Sequence, residues 1–177
     1  MVAPKPSKGN ILIILSNSLA HADEVAIKLN DIMESMVLVP RLTTNELTEE
    51  TPIIQKIDTE IYLDNIRSNK VISDGTNQAI SKAYIDDLLI QGCSIIISPS
   101  MELFPYLRDY YKERTITVYL DSNESCKVKF TPFLEDNIDY TMKTDSPKTS
   151  AKTLQYLLVS KGEKVKIKTM NGFKPFV

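Results

Sequence analysis

The side chains best suited to chemistry in this sequence are few and thinly spread. His21 is the single histidine, so a Ser–His–Asp arrangement would have to use it, with Ser16 or Ser18 as nucleophile. Groups this close along one loop rarely reach that geometry, and an exposed histidine is the plainer reading. Asp86 and Asp87 offer two carboxylates, but adjacent helical residues do not share a face, so a solvated edge accounts for them better. The segment "TNELTEE" (44–50) carries three acids without the spacing of a calcium loop. The stretch "LSNSLAHADEVAIKL" (15–29) is more informative. It follows the apolar run Ile11–Leu15 and leads into a helical pattern, the place where a nucleotide-binding α/β protein puts a phosphate-gripping loop. It contains no glycine, and its one lysine, Lys28, lies well inside the helix.

Two further segments are candidates for recognition. "YLRDYYKER" (106–114) places Tyr106, Arg108, Tyr110, Tyr111 and Arg114 on one short helix. Tyrosine and arginine are enriched in interface hot spots, so this is a candidate partner helix; the alternative is tyrosines packed partly on a sheet. The tail carries five lysines between residues 161 and 174, with Phe173 and Phe176. It could contact RNA or a partner, but a strand edge protected by lysines is the simpler account.

Elements are needed to position these residues, and the apolar pattern supplies them. "NILIILS" (10–16), "MVLVPRLTT" (36–44), "CSIIISPS" (93–100) and "RTITVYLDS" (114–122) read as buried strands. Helical patterns start at Ala22, at the Asp58-Thr59 cap, across "AISKAYIDDLLIQG" (79–92), across "MELFPYLRDYYKE" (101–113) and at Ser146-Pro147. In the third of these Ile80, Ala83, Tyr84, Leu88 and Leu89 fall on one side and Gly92 stands at the C′ position. "SDGTNQ" (73–78) is turn chemistry, 123–138 is irregular, and "DYTMKTD" (139–145) is strand-like. Strands alternating with helices predict an α/β fold of three layers, a mostly parallel central sheet flanked by helices. Residues 1–9 read as a flexible lead-in and 10–177 as a single domain ending in a tail, 161–177.

Bulk properties narrow the function. The 177 residues suffice for one real core, with 42% hydrophobic and 25% charged residues. A net charge of −2 speaks against nucleic acid or anionic lipid as a general partner. No apolar run approaches the ~18 residues of a membrane span, and the N-terminus has no secretory h-region. Cys93 and Cys126 are too few for a zinc site or a disulfide framework, so the expected compartment is the cytoplasm or another reducing space. Five glycines in 177 residues is a low count, and loops that wrap phosphate with backbone N–H groups need glycine.

The order of pieces resembles the guanylate kinase family and its relative ribosyl bisphosphate kinase. "ILIILS", "RLTTNE", "YIDDLLIQGCSIIIS", "ELFPYLRDYYKERTITVYLD" and "NIDYTMKTDSPKTSAKTLQYLL" occur in the family's order over roughly residues 10–160. The resemblance implies a P-loop-kinase-like fold, with a phosphate loop G-x-x-x-x-G-K-[ST] after the first strand. On that spacing Asn17 and Ala22 replace the glycines, with Ser18 between them; Asp23 replaces the lysine and Glu24 the metal-binding hydroxyl. An anion in place of that cation repels a polyphosphate by about 1–4 kcal/mol per close pair.

The acceptor side departs from the family as well. The arginine expected after Thr43-Thr44 is Asn45, with Arg41 nearby. "Y-G-T" has no counterpart at the matching spacing, since Gly75-Thr76 comes early. Between Asp121 and Asp139 there is no arginine and no room for a lid helix, although lid arginines stabilise a transferring phosphoryl group. The resemblance therefore implies a non-catalytic, protein-binding or scaffolding module with no cofactor and no metal, whose protein partner occupies the old substrate cleft. Arg41, Thr43, Thr44, Asn45, Tyr62 and Asp74 bound that cleft. Nucleotide binding is weak or absent on this reading, and homo-oligomerisation is left open. The competing reading is a divergent nucleotide or phosphosugar kinase using Arg41, Arg67 and Lys70.

Overall fold

A computed structural model describes residues 9–75, 78–122, 131–144, 146–159, 166–169 and 172–175. Strand β1 (Ile11–Ser16) is buried throughout, because its Ile/Leu run meets apolar neighbours on both faces. It pairs in parallel with β7 (Ser94–Ile97) on one side and β8 (Thr115–Ser122) on the other. β2 (Met36–Leu38) adds to β7 and β9 (Tyr140–Thr144) to β8, completing a parallel five-stranded sheet in the order β2-β7-β1-β8-β9.

Alternation along β1 divides the core in two. Leu12 and Ile14 pack with Ile96, Val118 and Tyr140 under α1 (Leu19–Ile32) and α6 (Pro147–Val159), through Val25, Leu29 and Leu154. Ile11, Ile13 and Leu15 pack under α3 (Lys82–Ile90) and α4 (Phe104–Tyr111), through Leu88, Leu89, Phe104 and Leu107. Complete burial of one such side chain is worth about 1.5–3 kcal/mol, so the two layers of apolar contacts dominate stability. The expected three-layer α/β architecture is what the chain adopts.

A second sheet stands beside the first. Its strands β3 (Arg41–Thr43), β4 (Ile54–Lys56), β5 (Val71–Ser73) and β6 (Gln78–Ser81) run in the order β4-β3-β6-β5, with one parallel and two antiparallel pairings. Helix α2 (Thr59–Arg67), capped by Asp58, covers its outer face, where Tyr62 packs on Leu42, Val71 and Ala79. The inner-face residues Ile72 and Ile80 join the main core. The remaining elements among the described residues are a 3-10 turn (Lys112–Arg114), a short helix α5 (Pro132–Asn137) and an antiparallel pair, β10 (Lys166–Thr169) with β11 (Gly172–Pro175).

Five expectations change. The strand expected over 36–44 is two strands in different sheets. Val39 N–H bonds Ile96 O at 3.0 Å, Pro40 has no N–H to continue the ladder, and Arg41 N–H goes to Ile53 O at 2.9 Å. The helix expected from residue 79 starts at Lys82, because Gln78–Ser81 is a strand and Ser81 caps the helix. Its inward face is Ile85, Leu88 and Leu89, whereas Ala83 and Tyr84 are exposed. The first helix begins at Leu19 rather than Ala22, behind an Ser18 cap. The irregular stretch after residue 122 contains α5, so the interval before Asp139 does hold a helix, capped by Thr131 and anchored by Leu134. Gly9, placed by sequence in the lead-in, is buried, and a Cβ there would lie 1.9 Å from the Cys93 carbonyl oxygen.

Candidate active-site edge

Crossovers from β1 and β7 leave in opposite directions: β1 continues through α1 to β2, beyond β7, while β7 continues through α4 to β8, beyond β1. In open α/β sheets the crevice at such a reversal, outside the carboxyl ends of the strands, is where ligands bind. Three side chains of this protein meet there. Asp23 comes from the second turn of α1, Ser98 from the residue after β7, and Arg41 from β3 of the second sheet.

Arg41 is 2% exposed and Asp23 16%. The guanidinium grips the carboxylate with both prongs, Nη1 to Oδ1 at 2.7 Å and Nη2 to Oδ2 at 2.9 Å. Ser98 Oγ donates to Asp23 Oδ1 at 2.7 Å, and Arg41 Nη1 also donates to the Ser98 carbonyl. Within this group of three side chains, the buried Arg41 Nε has no hydrogen-bond partner. Removing either charge from a buried pair strands the other, at about 3–5 kcal/mol.

The neighbouring connection is equally closed. Between the end of β1 at Ser16 and the start of α1 at Leu19 stand two residues, Asn17 and Ser18. Ser18 caps α1 by accepting from His21 N, and its own N–H bonds Ser16 Oγ at 3.1 Å. Asn17 reaches across to β8. Its Oδ1 accepts from Ser122 N at 3.0 Å and Ser122 Oγ at 2.9 Å, and its Nδ2 donates to Ser122 O at 3.1 Å. Ala22, Asp23 and Glu24 are helical, with Ala22 buried against the sheet. The segment thus holds no loop long enough to wrap a ligand.

The residues assigned to a substrate or partner cleft are separated by the second sheet. Arg41 and Thr43 are buried and share its inner face, while Tyr62 lies against the outer face and its hydroxyl sits 3.1 Å from Ser73 Oγ. Thr44 and Asn45 turn away from β3, with Asn45 N–H bonding Thr43 Oγ1 at 3.2 Å; Asp74 follows β5. Beside the edge strand β4 runs an open groove of about 440 Å³, between Pro40, Leu47, Pro52, Ile54 and Lys56. Arg67 is exposed beside Asp64, at 3.5 Å, and Lys70 is exposed between the end of α2 and the start of β5.

The tyrosine-rich helix divides in the same manner. Arg108 donates to Lys112 O at 2.8 Å, Thr115 O at 3.2 Å and Asn137 Oδ1 at 3.3 Å, and it also touches Thr115 Oγ1. Arg114 donates to Gly9 O at 3.2 Å. Tyr111 is buried and donates to Asp86 Oδ1 at 2.9 Å, so Asp86 is a structural acceptor rather than a merely solvated edge. Burial first, and the hydrogen bond to Asp86 second, push the Tyr111 phenol far above its ordinary value. Tyr106 and Tyr110 remain outward, 55% and 50% exposed, with Lys82 Nζ 4.9 Å from the Tyr110 ring centre. Cys93 is half-buried against the core; Cys126, Thr76 and Phe176 lie outside the described residues. Among the described residues no cluster of acids, histidines or cysteines could hold a metal, and no helix is long and apolar enough to cross a membrane.

A parallel sheet ordered in this way, flanked by helices and joined by a second sheet, defines a P-loop-kinase-like fold of the guanylate kinase type. Among solved structures, guanylate kinase from Anaplasma phagocytophilum is similar at a TM-score of 0.65 and 15% identity, over 90% of this chain and 89% of that chain. No family model and no curated protein matches the sequence.

Proposed function

We propose that this guanylate-kinase-like fold serves as a non-catalytic module that binds a protein partner. One observation carries the reading: at the sheet's carboxyl edge, where ligands of such sheets bind, stands the chain's own buried Asp23–Arg41 ion pair. A phosphate loop works by aiming several backbone N–H groups and a lysine at the phosphates. Here the connection is a two-residue turn tied to Ser122, and the charge at the lysine position is negative. Those features support reading residues 17–24 as a degenerate phosphate loop.

Two open surfaces among the described residues would suit a partner. One is the outward Tyr106 and Tyr110 of α4, large rigid rings of the kind that anchor interfaces. The other is the groove along β4, which lies at the edge of its sheet. Of the cations needed by the competing kinase reading, Arg41 is already committed to Asp23.

A melting panel with Mg-ATP, Mg-GTP, GMP and ribose phosphates tests the proposal. Millimolar ligand should leave the melting temperature unmoved; a shift of several degrees with any nucleotide would overturn it.

A further inference from the structure

Arg41 is an unusual residue to bury. Its guanidinium presents the planar, two-pronged donor geometry that proteins use for carboxylate and phosphate ligands. It does so inside the crevice where a ligand of this architecture would lie. Its Nε has no partner, and the Ser98 hydroxyl is aimed at the same point, 2.7 Å from Asp23 Oδ1. Arg41 and Ser98 together make an oxyanion site, and the oxyanion in it is a side chain of α1.

The three residues also come from both sheets. Asp23 and Ser98 belong to the five-stranded sheet and its helix, Arg41 to the four-stranded one. The chain passes between the sheets at Val39–Pro40 and again at Ser81–Lys82. The small sheet also meets the main body through apolar side chains, Ile72 and Ile80 in one core layer and Ile53 and Ile54 in the other. We propose that Asp23 is a built-in ligand: its carboxylate occupies an oxyanion site formed by Arg41 and Ser98, and so latches the second sheet onto the first. An external carboxylate or phosphate group reaches Arg41 only by displacing Asp23, so the contact is autoinhibitory towards anions. The latch is independent of what the outer surfaces bind.

The test is chemical rescue. Asp23→Ala removes the carboxylate and leaves a hole of its size beside Arg41. Its melting temperature should fall well below wild type in sodium chloride. It should then recover by several degrees in sodium formate, acetate or phosphate at equal ionic strength, with wild type and the Asp23→Ala/Arg41→Met double variant unresponsive. An undiminished melting temperature, equal recovery in chloride, or equal recovery of the double variant would each overturn the proposal. If Asp23→Ala folds in none of these salts, Asp23→Asn keeps the volume and removes the charge, and hydrogen exchange decides. Faster exchange confined to 41–43 and 54–56 supports a latch between sheets, and unchanged or uniformly faster exchange overturns it. Neither result depends on the nucleotide panel, so the two readings fail separately.

Discussion

Asn17 shows how a single side chain can take over the work of a loop. At the position of a phosphate loop's first glycine it instead joins the ends of β1 and β8 through three hydrogen bonds with Ser122, and it also accepts from Ser16 Oγ at 3.1 Å. Asn17→Ala leaves the buried Ser122 N–H and hydroxyl without that acceptor, so stability should fall by about 1–3 kcal/mol. Urea denaturation checks this, with the midpoint lowered and the slope unchanged. The type and position of Asn17 were legible in the sequence, and its partner was not. Ser122 lies 105 residues away, and no local pattern encodes a pairing across that separation. The same holds for Asp23 and Arg41. Each was singled out by sequence, one as a reversed charge and the other as a spare cation, but only the fold brings them into contact.

Among elements, periodicity located those that repeat their pattern and missed those that share it with a neighbour. β1 and β8 were legible to within a residue at each end, whereas of the run expected over 93–100 only Ser94–Ile97 is strand. β6 was hidden because Ala79 and Ile80 continue the apolar spacing of α3, and a strand of four residues has too few positions to declare its own period. α5 was hidden by its length, six residues, although Thr131-Pro132 is a cap signal that could have revealed it. At the end of α4, Lys112 adopts φ +44°, ψ −115°, a conformation suited to glycine, and Arg108 holds its carbonyl. Lys112→Gly should therefore raise stability by about 1 kcal/mol, the relieved strain exceeding the added chain entropy. Arg108→Ala should lower it, by about 1 kcal/mol, since the carbonyls of 112 and 115 each lose one donor while Lys112 O keeps its bond from Thr115 Oγ1. Thermal melts of the two variants should move in opposite directions.

Across the whole molecule, the two apolar layers leave tyrosines buried on both sides of the sheet. Burial, with a smaller contribution from Asp139, pushes the Tyr140 phenol up to about 12, and burial likewise raises Tyr119 and Tyr111. A phenol whose folded value lies above its unfolded value of about 10 contributes stability that is complete below pH 10. That contribution is lost as pH rises from 10 towards 12 for Tyr140. Stability should be insensitive to these groups at neutral pH and decline steeply above pH 10, and Tyr140→Phe should make the decline shallower.

The architecture itself followed from sequence because buried parallel strands and their crossover helices leave strong patterns. The state of the crevice depends instead on contacts between elements, and the claim that the chain's own ion pair stands where a ligand would bind is tested most directly by calorimetric titration of the wild-type protein with Mg-ATP. No saturable heat is expected at millimolar nucleotide. Saturable binding with a dissociation constant in the micromolar range would contradict it.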